Sequence, residues 1–529
     1  MSRRVAAVLE PALVPDAVER AASLSRVQAL ALCLSAGAAL ALCLPKPGLS
    51  ALGWVALAPL FYVLSKSAPR RAFVRGWLAG AAFHGVAFYW IYSTCRFGGV
   101  PLPISVLAWA LLAAFQGLAW GAIGWLGRVV TPRLPAALRA LGWAVAWTAV
   151  AAACERWTPR LPGDLLEYTQ WRYLPLIQIA SIAGPHGLGL VVAWVNAALA
   201  QAWDDGRSGA AGAPAARGLA ASLAAAAAVW VFGVAALAQR PVSGSARRVE
   251  LLQPDVDQYR KWDERYESDI MAEFAELLTP PAAEAWKPDL VVWPESALPY
   301  LVSEDRPLPL SLLPWSGRDR PEQVIGVVSR RGDERYNAAL LVGSDGSVKA
   351  VYHKRELVPF GEYVPFASVL RPLVGKLNEL GGITAGAPEQ ALLPTPLGPA
   401  AATICYEAVF PRWARRDAAR GARLIINVTN DGWYKDTWGP YQHFKTNVFR
   451  AVENRVTVIR SGNTGISAVI DPWGVETARL DLGARGRLDA EVPAEDSFPA
   501  GSFYARHGDW LGTLCMAGAA LLLAVAALG

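Results

Sequence analysis

Three side chains in this 529-residue chain stand where an apolar run gives way to a polar one. Glu295 follows "LVVWP", Lys354 follows "AVYH" and Cys405 follows "AATI". Gathered in one site, a thiol, a carboxylate and an ammonium support acyl transfer through a thioester. Cys405 would attack a carbonyl. Glu295, its pKa raised by a dry strand end, would take the thiol proton and later one from an attacking amine. Lys354, oriented by Glu362 through a charge-assisted bond, would hold the thiolate and stabilise a tetrahedral oxyanion. The backbone N–H of Tyr406 would point at that same oxygen. Cys33, Cys43, Cys95, Cys154 and Cys515 fall in or beside long apolar segments, which leaves Cys405 as the one thiol of the polar region. A free cysteine is commonly a small buried hydrophobe. Here an oxidising compartment would disfavour an idle thiol, and a following helix N-terminus would favour thiolate.

The elements that must position these groups alternate. From about Arg248, "RRVELLQPDV" and "PDLVVWPES" read as buried strands with the amphipathic "WDERYESDIMAEFAELL" between them. "QVIGVVSRR" is another strand, and "YNAALLVGSDGSVKAVYHK" a hairpin turning at Asp345-Gly346. "GPAAATICYE" and "ARLIINVTND" flank a helix, and "RVTVIRSGNTGISAVIDPWG" supplies two more strands. The pattern is that of a layered α/β domain with functional groups at strand ends.

The rest of the chain is built for lipid. It is 53% hydrophobic and 18% charged, with a mean hydropathy of +0.26. A bilayer-spanning helix needs about 20 mostly apolar residues. Stretches near 27–44, 51–65, 72–94, 104–127, 137–154, 177–203, 219–238 and 511–528 predict eight spans, the sixth interrupted by "GPHG". Arg3, Arg4, Arg20, Arg26, Lys66, Arg70, Arg71, Arg75, Arg128, Arg133, Arg139, Arg207 and Arg217 crowd one set of span ends, which marks that set as cytoplasmic. The polar domain then lies across the membrane, in a bacterium the periplasm. Met1–Arg26 has no signal-peptide pattern. The net charge of +6 is accounted for by these loops, and no basic helix with interleaved aromatics points to nucleic acid. No His/Cys/Asp cluster has metal-ligand spacing along the chain, so neither metal nor other cofactor is expected.

"WPES", "YHKRELVPFGEYVP", "CYEAVFP", "NVTNDGWY" and "RAVENRVTVIRSGNTGISAVIDPWG" together resemble the nitrilase, or carbon–nitrogen hydrolase, superfamily over about residues 248–495. The resemblance implies an αββα sandwich and a Glu-Lys-Cys triad: Glu295 as base, Lys354 as oxyanion-stabilising cation and Cys405 as nucleophile. It also implies supporting roles for Glu362, Tyr406 and Glu407, and a substrate-binding role for Trp262 in "RKWDE". With its flanking spans, the chain is similar to the apolipoprotein N-acyltransferase family of the bacterial inner membrane. That similarity implies a phospholipid donor, typically phosphatidylethanolamine, and an acceptor amine on the S-diacylglyceryl cysteine of an apolipoprotein.

The organisation expected is a cytoplasmic segment 1–26, a transmembrane domain 27–240, a periplasmic catalytic domain 241–505 and a closing span 511–528, acting as a monomer. The apolar loops "RPLPLSLLPW" and "PFASVLRPLVGKL" could dip into the outer leaflet. A membrane amidase with the same triad is the alternative, since water and an amine can attack one thioester. A Cys-His hydrolase would pair Cys405 with His353 or His443. A transporter would carry charges inside its spans, and the first seven show mainly His84, Gln116, Gln178 and Asn196.

Overall fold

A computed structural model describes residues 24–158, 161, 163, 165–208, 213–240, 246–278, 287–310, 320–363, 382–493 and 501–528. Most of the N-terminal segment and the loop "PFASVLRPLVGKL" lie outside the described residues, as does part of "RPLPLSLLPW".

The first part is helical: α1 (Arg26–Ala41), α2 (Ala58–Ser65), α3 (Pro69–Ala87), α4 (Tyr89–Phe97), α5 (Leu102–Val130), α6 (Arg139–Trp157), α7 (Leu174–Ile177), α8 (Ala180–Ala183), α9 (His186–Ser208) and α10 (Ala213–Ala238). Helices α3 and α5 pack backbone to backbone. A Cβ on Gly76 would lie 2.3 Å from the Trp120 carbonyl oxygen, so only glycine permits this approach.

Among the described residues, four helices are long and apolar enough to cross a membrane: Leu102–Arg133, Ala136–Trp157, Ala213–Ala238 and Trp510–Leu528. A fifth follows if the bent pair Leu174–Ala183 and His186–Arg207 counts as one span. Sequence hydropathy reads eight; of the other four runs, 27–44 and 51–65 form shorter apolar helices, Arg26–Ala41 and Ser50–Ser65, and two are broken or bent. The apolar run 72–94 divides at Phe88 between α3 and α4, and α3 opens on Arg70, Arg71 and Arg75. The run 177–203 bends by 118°, because Gly184 adopts φ 66° ahead of Pro185. A Cβ on Gly184 would strike the Tyr504 ring at 2.4 Å.

The α/β part contains two sheets. In the first, β1 (Ala246–Gln253), β2 (Leu290–Val292), β3 (Val302–Ser303), β4 (Glu322–Arg331), β5 (Glu334–Val342) and β6 (Val348–His353) are joined by β13 (Gly486–Pro493) in the order β13-β1-β2-β4-β5-β6, with β3 on β4. The second runs β12-β11-β10-β9-β8-β7, from β7 (Leu393–Thr395), β8 (Gly398–Ile404), β9 (Leu424–Thr429), β10 (Thr457–Gly462), β11 (Ser467–Ile470) and β12 (Glu476–Leu480). The expected hairpin is β5–β6, with Gly346 at φ 84° in its turn.

Alternation along the strands sorts the core. Val249, Leu251, Val292 and Leu341 meet Ala402, Ile404, Ile426 and Ile459 between the sheets. Opposite faces carry helices: α11 (Glu267–Leu278) covers the first sheet through Ile270 and Phe274. The helix α13 (Gly439–Asn454) covers the second through Phe449 and Val452. This is the αββα sandwich expected from the sequence. Val452 and Val458 share one buried cluster with Ile177 and Val192, so the outer layer of the sandwich is continuous with the apolar helices. Between β8 and β9 lies α12 (Pro411–Ala419), and α14 (Phe503–His507) leads into α15 (Trp510–Leu528).

Candidate active site

Strand ends bring the three candidate groups together. Glu295 follows β2, Lys354 follows β6 and Cys405 follows β8, and their residues are 7%, 1% and 5% exposed. Lys354 is the hub. Its ammonium donates to Glu362 Oε1 at 2.9 Å and to Glu295 Oε1 at 3.3 Å. Burial opposes its charge, but the two carboxylates outweigh that cost and hold the ammonium above the ordinary lysine range.

Asn337 completes the group. Its Nδ2 donates to Glu295 Oε1 and to Glu362 Oε1, each at 2.7 Å, which keeps the two like-charged carboxylates on one frame. Sequence reading passed over Asn337. Its signal was a lone amide in the apolar strand "YNAALLV".

Cys405 has φ 47°, a left-handed conformation costly for a residue with a Cβ. The element after it is a short 3₁₀ turn, Cys405–Val409, not the start of an α-helix. Thiolate is therefore not the resting form. Burial, then the charge of Glu295, push the thiol above its ordinary value, and Lys354 only partly counters them. A buried neutral thiol needs a base to become a nucleophile.

Glu407 ties the Cys405 turn to the lysine loop. It accepts from the N–H groups of Ile404 at 2.7 Å and Arg355 at 2.6 Å, and from the Tyr352 hydroxyl at 2.9 Å. Burial raises its carboxyl to about 7, against the pull of these donors. Arg355 forks onto Asp417 of α12 at 2.9 and 3.4 Å, between the rings of Tyr352 and Trp413. Tyr406 packs edge-on against Phe410 with centroids 5.0 Å apart. Trp262 is half-buried in the turn after β1, next to the buried Lys261.

The two histidines separate clearly. His353 stacks on Tyr336 at 3.9 Å and meets Glu304 at 2.7 Å, in a different group of contacts from its neighbour Lys354. His443 lies behind Cys405, with Nε2 2.8 Å from the Cys405 carbonyl oxygen and Nδ1 2.8 Å from Asp431. A carbonyl only accepts, so Nε2 carries a hydrogen and is not free to take the thiol proton.

Cys405, Asp431 and His443 also bring potential ligand atoms within 4.8 Å of one another, a cluster that chain spacing did not reveal. Asp431 is already paired with Arg460 at 2.6 Å; against the pull of burial, Arg460 and then His443 hold its carboxyl below the usual range. A metal ion would sit beside that guanidinium. The trio reads as the scaffold of the Cys405 turn.

A carbon–nitrogen hydrolase family model matches residues 235–497, and a model of the apolipoprotein N-acyltransferase N-terminal domain matches residues 36–198. An apolipoprotein N-acyltransferase of Geobacter metallireducens is 35% identical, over 91% of this chain and 92% of its own. That of Gloeobacter violaceus is 31% identical, over 90% and 89%. Nit3 of Saccharomyces cerevisiae, a solved member of the nitrilase superfamily, overlays on 48% of this chain and 92% of its own at 20% identity and a TM-score of 0.36. Both halves of the chain thus find counterparts in one group of relatives, and the chain belongs to the apolipoprotein N-acyltransferase family.

Proposed function

We propose that this protein transfers a fatty acyl chain from a membrane phospholipid to the α-amine of an apolipoprotein's N-terminal S-diacylglyceryl cysteine. The observation that carries the reading is the buried Lys354 ammonium, held by Glu295 and Glu362, with Glu295 and Lys354 both acting electrostatically on the Cys405 thiol. In the first half-reaction Glu295 takes the thiol proton while Cys405 Sγ attacks the ester carbonyl. Lys354 and the Tyr406 N–H stabilise the oxyanion. The lysophospholipid alkoxide leaves with the proton from Glu295, and the acyl group stays on Cys405. The acceptor amine then attacks the thioester, Glu295 takes the amine proton, and the thiol is restored by receiving it. Both substrates use one site in turn. Glu362, Tyr406 and Glu407 support the triad, and Trp262 contacts substrate.

The same reading places eight spans in the bacterial inner membrane, a cytoplasmic segment 1–26, a transmembrane domain 27–240, a periplasmic catalytic domain 241–505 and a closing span 511–528, working as a monomer. Phosphatidylethanolamine is the donor. A membrane-embedded enzyme suits such a substrate, because each exposed CH₂ costs about 0.8 kcal/mol. The test is intact-mass analysis of purified protein incubated with phosphatidylethanolamine. A fatty-acyl adduct should form on Cys405 and disappear on adding a diacylglyceryl peptide with a free α-amine. No adduct, or one on another residue, overturns the reading.

A further inference from the structure

Among the buried cations that the mechanism above does not use, one touches the backbone of Glu295. Lys261, in the turn after β1, is 2% exposed, and its ammonium donates to the main-chain carbonyl of Glu295 at 2.8 Å. Its own turn is anchored to the second sheet. The N–H groups of Asp255 and Val256 reach the carbonyl and side-chain oxygens of Asn463 at 2.9 and 3.2 Å. Asn430 Nδ2 donates to Gln258 at 2.7 Å. Lys261 is therefore a fixed arm between two turns.

The turn it holds is constrained. Ser296 adopts φ 48°, in the left-handed region that disfavours a side chain. Strand β4 grips the chain on either side, with Trp293 N–H on the Val324 carbonyl at 2.8 Å and Ala297 N–H on the Gly326 carbonyl at 2.7 Å. A Cβ on Gly326 would lie 2.3 Å from the Pro294 oxygen, so the approach requires glycine. Among the described residues the Glu295 carbonyl has Lys261 as its one donor.

We propose that Lys261 is a positioning residue for the catalytic carboxylate: by donating to the Glu295 carbonyl it fixes the strained 295–296 turn, and it lends the site a second positive charge. The proposal rests on Glu295 being the base. Lys354 is paired with two carboxylates and stays charged, whereas burial lowers Lys261 to about 8. The groups facing Lys261 are Glu295 and Cys405. Beyond Glu295 lie Lys354 and Glu362, Tyr434 and Asp431 approach Cys405 from the second sheet, and Asp257 and Asp263 belong to its own turn. As pH rises through about 8, the ammonium loses its proton and the hold on Glu295 weakens.

The test measures thioester formation on Cys405 in single turnover with phosphatidylethanolamine in detergent micelles, without acceptor. Wild type, Lys261→Met, Lys261→Arg and Glu295→Gln are compared from about pH 6 to pH 10. Lys261→Met should slow the step about 10²-fold near neutral pH with the lipid KM unchanged, the loss expected of a misplaced reacting group. Lys261→Arg should recover most of the rate and keep it at alkaline pH, where wild type declines. Thioester formation at the wild-type rate in Lys261→Met overturns the proposal. Should that variant not fold, coincident pH profiles of Lys261→Arg and wild type overturn it. Glu295→Gln acting at the wild-type rate would instead remove Glu295 as base, a separate failure.

Discussion

Two of the places where the protein buries charge are built differently. At the active site, Glu295, Glu362 and Lys354 come from strand-end loops of the sandwich, and Asn337 and Lys354 donate to both carboxylates. At the seam between sandwich and apolar helices, Glu155 of α6, Glu167 and Tyr168 of the turn Leu166–Gln170, His186 of α9, Arg450 and Glu453 of α13, and Asp509 converge. His186 lies 3.2 Å from Glu155, 3.6 Å from Asp509 and 3.8 Å from Glu167. Arg450 pairs with Glu453 at 2.6 Å and donates to the Tyr168 hydroxyl at 3.0 Å.

Between these two places, buried carboxyl oxygens without a donor mark the seam. Glu167 Oε1 and Glu453 Oε2 are buried and accept no hydrogen bond among the described residues, and burial raises the two carboxyls to about 8 and about 7. The site keeps a cation locked between carboxylates, which suits chemistry. The seam spends its charges on joining two parts of the chain and leaves some carboxyls near neutrality, which suits docking.

Breaking the site should cost most. Cys405→Ala should abolish the acyl adduct and all transfer, with the thermal unfolding transition unchanged, and normal turnover would remove the thioester from the reaction. Next, Glu295→Gln should slow thioester formation by about 10²–10⁴-fold in single turnover, the usual loss of a positioned base. Glu362→Gln should lose less, because the amide keeps its shape and can still accept from Asn337. Equal losses would mean that the two carboxylates share one role.

At the seam, stability should move instead of chemistry. Arg450→Met leaves Glu453 without its cation, a change of about 3–5 kcal/mol for a buried pair. Because Glu453 can take up a proton near pH 7, the low end of that range is expected. Unfolding in detergent should shift down while the folded fraction still forms the acyl adduct. Arg450 Nη1 also reaches the Ala408 and Val409 carbonyls at 3.4 and 3.5 Å, just past Cys405. Loss of acylation at full stability would therefore assign the seam to the chemistry and erase the contrast.

The smallest effect is a pH slope. A carboxyl has an ordinary pKa of about 4.3, and folding raises those of Glu167 and Glu453 to about 8 and 7. The folded state then binds more protons than the unfolded one, so their contribution is fullest below about pH 4.3 and is lost as pH rises through 7 to 8. Glu167→Gln should flatten that decline in unfolding temperature between about pH 5 and pH 8. An unchanged slope would show that Glu167 does not take up the proton.

Much of the site was legible because its groups interrupt apolar runs. Glu295 and Lys354 stand out after "LVVWP" and "AVYH", and Glu362 is near enough in sequence to suggest its bond to Lys354. Asn337 and Lys261 were overlooked because a single amide in a strand and a single lysine in a turn look ordinary until their partners are known. Asp431 was hidden by distance along the chain, and His443, named as a possible partner of the Cys405 thiol, meets the Cys405 carbonyl instead. The thiolate expected at Cys405 failed for a physical reason: a short 3₁₀ turn follows it, and burial outweighs Lys354. The eight hydropathy peaks exceed the long unbroken helices among the described residues, because hydropathy registers neither the breaks at Gly184 and Phe88 nor the short length of Arg26–Ala41 and Ser50–Ser65.

The residue order by itself determined the alternation of strands and helices in the sandwich, the apolar segments, and the placing of Glu295, Lys354 and Cys405 at strand ends. These are local consequences of side-chain periodicity and of where polarity interrupts it. Tertiary structure decided which charges meet. Lys354 reaches Glu295 and Glu362 together, His443 backs Cys405, and Arg450 joins α13 to Tyr168 only after distant segments pack. Packing also set the protonation states, since desolvation depends on everything that surrounds a group, which neighbours in sequence do not specify.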